Sequence, residues 1–212
     1  LEIDFKDMLH PVITGSGAEL NKQITQFTEG GFYMPRYSHW KEFETQEEFD
    51  QIMEKEYQER LKRYEEYVHK YQPTDVVKQY INDMLKADYY KALFSNLNQF
   101  AYTRNQKIDI RQYTDKLKDA ALLLDNQTII ESNFGLTENM YNHLHLLNER
   151  YWKGDQSLTL EEVMEPLKDT PAIPYIFARG LSISLNKLND PTYFESQKAN
   201  FDRYIQSPYL RN

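Results

Sequence analysis

The sequence predicts an all-α fold: about eight helices packed as an irregular bundle, preceded by one or two short strands. Three observations carry this expectation. Apolar residues recur at spacings of three and four over most of the chain after residue 18, the period of a helix with one buried face. Capping boxes at Thr45–Glu48 and Thr159–Glu162, and prolines at 171 and 191, mark helix starts. Strand-like alternation is confined to the first residues. With 40% hydrophobic and 14% aromatic residues, the chain has the material for a packed core. Tyrosine is unusually frequent, 17 of 212 residues. Its ring packs inside while its hydroxyl seeks an acceptor, which suits broad contacts between helices.

Leu1-Glu2-Ile3-Asp4-Phe5 alternates like a half-buried strand, Pro11-Val12-Ile13 is a second extended piece, and Gly15-Ser16-Gly17 is a turn. Residues 1–17 are thus expected to be the remnant of a β region, and 18–212 a helical domain. Two strands alone do not make a stable sheet, so their partners are expected in another chain or upstream. Leu1 in place of an initiator Met fits a processed or excised chain.

The first helix is expected over 18–28, stopped by Gly30-Gly31. An aromatic loop, Phe32 to Trp40, follows. The helix opened by Thr45 carries Phe49, Ile52, Met53, Tyr57, Leu61, Tyr64, Val68 and Tyr71 on one face, with Glu54, Lys55, Glu59, Lys62, Arg63, Glu66 and Lys70 opposite; Pro73 ends it. Thr74 or Asp75 caps the next, whose apolar stripe from Val76 to Phe100 is wide enough for deep burial. Further helices are expected around 110–124, from a Thr137 cap to Trp152 with Gly154 behind it, over 159–166, from Thr170-Pro171 to Leu188, and from Asp190-Pro191 to Ser207.

The net charge is −8 with no basic block, which argues against a phosphate backbone as partner. No stretch approaches the roughly 20 apolar residues of a membrane span. The absence of cysteine excludes disulfides, thiolate metal sites and a thiol nucleophile within this chain. Nucleotide-binding glycine loops, hydrolase elbows and zinc-protease motifs are also missing, so no catalytic, cofactor-binding or metal-ligating set is assigned. His143 and His145, two apart on a helix, point to different faces and read as a surface or half-buried pair. Glu161, Glu162 and Glu165 suit the positive end of a helix dipole, and Asp88, Asp115 and Asp119 read as solvated helix charges. Asn126-Gln127-Thr128 matches a glycosylation triplet. The aromatic loop supplies the candidate partner-binding surface: Phe32, Tyr33, Arg36, Tyr37 and Trp40. The alternative is a connector that lays its rings over the helical core.

Leu1–Phe5, the extended link, and Gly15-Ser16-Gly17-Ala18-Glu19-Leu20-Asn21-Lys22 resemble a junction in the TlpA/ResA-type thiol–disulfide oxidoreductases of the Bacteroidetes envelope. There a small β-domain ends in such a strand, and a Gly-x-Gly-Ala-x-x-Asn turn opens a helical insert before a thioredoxin domain. Leu122 to Leu147 looks like the middle of that insert, and Ser207-Pro208-Tyr209-Leu210 like its exit. The family's activity resides in a Trp-Cys-x-x-Cys motif that no position here can supply. The resemblance therefore implies a non-catalytic helical region, periplasmic or in the cell envelope, that positions the redox domain or binds a partner. The other reading is a stand-alone helical interaction or structural protein, such as a phage structural component or surface binding module, which self-associates.

Overall fold

The computed structural model of the chain describes residues 2–4, 12–15, 17–34, 36–103, 110–125, 129, 134–147, 164–188 and 191–206. Among them are seven α-helices: α1 Ala18–Thr28, α2 Gln46–Tyr71, α3 Asp75–Thr103, α4 Thr114–Leu122, α5 Phe134–Leu147, α6 Ile173–Leu188 and α7 Pro191–Tyr204. Strands β1 (Glu2–Asp4) and β2 (Val12–Thr14) pair antiparallel with each other, Ile3 opposite Ile13. The all-α class is therefore the observed one. The chain divides into two compact units, Leu1–Ser38 with Glu47–Leu85, and His39–Gln46 with Lys86–Asn212.

In the first unit, Phe27 of α1, Tyr67 of α2, and Val77, Ile81 and Leu85 of α3 form a fully buried cluster. Phe27 lies at its centre. Its ring meets Tyr67 edge-on at 5.3 Å, Tyr64 at 6.5 Å and Tyr33 at 6.1 Å. Such pairs add about 0.5–1.5 kcal/mol each beyond the area they bury. The tyrosines use their polar ends as the composition anticipates. Tyr67 Oη donates to the Gln23 carbonyl at 2.8 Å, and Tyr64 Oη to that of Lys78 at 3.1 Å. Each ring thus packs inside while its hydroxyl satisfies a backbone acceptor on a neighbouring helix.

Two glycines make the exit from α1. A Cβ at Gly30 would stand 2.1 Å from the Gln26 carbonyl oxygen, so only glycine lets the chain pass. Gly31 then takes a left-handed φ of 83°, and the chain folds back until the Tyr33 amide reaches the Phe27 carbonyl at 3.3 Å. Helix α2 stops differently. Gln72, not a glycine, adopts φ 48° just before buried Pro73. The Thr74 amide donates to Gln23 Oε1 of α1 at 3.0 Å.

The second unit packs α6 against both α5 and α7, and α4 against the 3₁₀ turns Ile110–Tyr113, Leu123–Asp125 and Glu165–Leu167. Leu93, Phe94, Leu97 and Phe100 of α3 are buried, as are Leu117 of α4, Leu144 of α5, and Ile176 and Phe177 of α6. Arg179 of α6 holds Glu138 of α5 at 2.6 Å.

Several expected details change. Thr137 is no cap: α5 begins three residues earlier at Phe134, and Thr137 is buried inside it. Gly135 lies in the first turn of α5, facing the Lys91 side chain of α3 at ordinary contact distance. Pro171 precedes rather than opens α6, because Thr170 Oγ1 turns back to the Leu167 carbonyl at 2.8 Å instead of capping forward. Val76, assigned to a buried stripe, is 67% exposed. Trp152, Gly154, the Thr159–Glu162 box, the Asn126 triplet and Ser207–Leu210 lie outside the described residues.

Candidate functional site

The aromatic segment belongs to both units, its first four candidate residues to one and Trp40 to the other. In the first unit, the described residues of 31–38 (31–34 and 36–38) form an irregular strap secured by side chains of α2. Arg60 is the main anchor and is 1% exposed. Its Nε donates to the Met34 carbonyl at 3.2 Å, its Nη2 to that of Arg36, and its Nη1 to that of Glu56 in its own helix at 2.8 Å. The guanidinium also lies over the Tyr37 ring, 3.5 Å from its centroid. Burying a cation is costly unless its donors are used, and the planar fork of Arg meets several carbonyls at once.

Glu56, one turn before Arg60, takes the end of the strap. Its carboxylate accepts the Ser38 amide at 3.0 Å and the Ser38 hydroxyl at 2.5 Å. Arg63 reaches the Gly31 carbonyl at 3.3 Å at the other end. Phe32 packs edge-on to Tyr67 at 5.7 Å and to Tyr71 at 6.0 Å, with the Lys70 ammonium above it. Phe32 and Tyr33 both pack against the buried cluster. Arg36 alone among the four is exposed. Three of these four residues thus direct their rings onto the helices, as a connector over the core does.

Trp40 opens a 3₁₀ turn, Trp40–Glu42, in the second unit. His39 and Glu42 form a capping box there, His39 Nδ1 accepting the Lys41 amide and Glu42 Oε1 the His39 amide. The Trp40 amide donates to buried Asn96 Oδ1 at 2.8 Å, and Lys41 lies 5.6 Å from the indole. Trp40 is half-buried.

The other candidates separate. His143 is fully buried, not at the surface, and sits between the rings of Phe94 at 4.9 Å and Tyr113 at 6.4 Å. Asn98 donates its Nδ2 to the Asn139 carbonyl at 3.2 Å, which turns its Oδ1 toward His143 Nδ1 at 3.2 Å and assigns the proton to that nitrogen. Asn139 in turn donates to the Lys91 carbonyl at 3.2 Å. This chain of amides ties α5 to α3 within the second unit. His145 is half-buried beside Tyr141. Asp88, Asp115 and Glu165 each face a lysine one turn on, Lys91, Lys118 and Lys168, and Asp119 is exposed. Glu161 and Glu162 lie outside the described residues. Among the described residues no group of three His, Asp or Glu side chains is placed to hold a metal ion, and no helix is long and apolar enough to cross a membrane.

Burial raises the pKa of the Tyr64 and Tyr67 phenols above the ordinary 10.0. At Tyr64 the Lys78 charge partly opposes the rise, and at Tyr67 the phenols of Tyr64 and Tyr71 add to it. Comparison with protein-family models, curated proteins and solved structures finds no match.

Proposed function

We propose that this chain is the helical region of a thioredoxin-like thiol–disulfide oxidoreductase of the TlpA/ResA type, in the periplasm or cell envelope of a Bacteroidetes organism. Its role is to position the redox domain or to hold a partner protein, not to carry out thiol chemistry itself. The observation that carries this reading is the junction between strand and helix. β2 ends at Thr14, Gly15 takes a left-handed φ of 94°, and α1 begins at Ala18. The Ala18 amide donates to the Gly15 carbonyl and the Asn21 amide to that of Gly17, both at 3.0 Å. Of the Gly-x-Gly-Ala-x-x-Asn residues that carry the resemblance, Gly15 has a physical reason for its identity, its left-handed φ, and the helix starts three residues later at Ala18.

Partner contact is assigned to the exposed side of the strap in the first unit, at Arg36, with Phe32, Tyr33 and Tyr37 acting from beneath as supports; Trp40, in the second unit, is a separate candidate contact. The test is the coding sequence on either side of this segment. A Trp-Cys-x-x-Cys motif beyond Asn212, at the predicted start of a helix, is expected. A downstream segment with neither that motif nor a peroxidatic cysteine overturns the assignment. A stand-alone interaction protein then takes its place, for which light scattering should show a defined oligomer.

A further inference from the structure

We draw no further inference here: the strongest candidate, the groove along the outer face of α1 edged by Tyr71, is lined by Glu19 and Glu29 as well as Lys22, and nothing in the structure shows what covers it.

Discussion

Arg60 contributes more to the first unit than its place in a charged helix indicates. It joins two carbonyls of the strap to α2 and covers the Tyr37 ring. Replacing it removes the donor from two part-buried strap carbonyls, so Arg60→Met is expected to lower stability by about 2–4 kcal/mol, from hydrogen bonds to a charged group worth roughly 1.5–3 kcal/mol and the uncovered Tyr37 ring. Arg60→Lys should restore little, since an ammonium cannot span the same acceptors. Urea denaturation followed by circular dichroism measures both; an unchanged midpoint in the Met variant would show that the strap does not depend on this clamp. Tyr64 and Tyr67 set a different limit. Their folded pKa values exceed the unfolded value of 10.0, so their contribution is complete below that pH and is lost as pH rises through the folded values. Stability is therefore expected to fall steeply in alkali, and the double variant Tyr64→Phe, Tyr67→Phe to flatten that fall. An identical alkaline slope in the double variant would assign the proton loss to other groups.

At the level of elements, the end of α2 offers a direct test. Gln72 holds a left-handed φ of 48° that an L side chain adopts with strain, at a position where helices commonly place glycine. Gln72→Gly is expected to gain about 0.5–1 kcal/mol, read as a higher thermal midpoint; a lower midpoint would mean that the side chain contributes more than the backbone strain costs. Helix α1 was legible to both ends, since glycines punctuate it and its apolar spacing is regular. Helix α2 was legible in extent and in part of its buried face: Phe49 and Met53 are buried as expected, and Tyr64 and Val68 pack against the core cluster. What the pattern missed is that Arg60 and Tyr67 are fully buried too, where it takes Leu61 and Val68 and sets charged residues outside. The signal was present: Met53, Arg60 and Tyr67 stand seven apart, the spacing of a continuous seam. Reading it requires accepting an arginine in that seam, which the sequence alone does not justify because the carbonyls it serves come from a loop. Thr137 and Thr170 misled for a related reason. A hydroxyl that caps in one context is buried, or bonds backward, in another, and distant packing decides which.

For the whole molecule, charge sets the most general expectation. With a net charge of −8 and an isoelectric point near 5.2, the protein should pass through a heparin column at neutral pH and about 0.15 M salt. Retention that fades with added salt would reveal a cationic patch that the sequence does not display. The helical class was readable because periodicity recurs along the chain, while the grouping of helices into two units was not, because it depends on contacts between distant segments. That grouping has a practical outcome. Each unit is assembled from two separate stretches, with His39–Gln46 threaded between the parts of the first yet belonging to the second. No single cut can release either one whole: a fragment ending at Leu85 would carry an orphaned passenger, and one starting at Lys86 would lack the indole-bearing turn. On the ribosome, those few residues must emerge long before the helices that receive them.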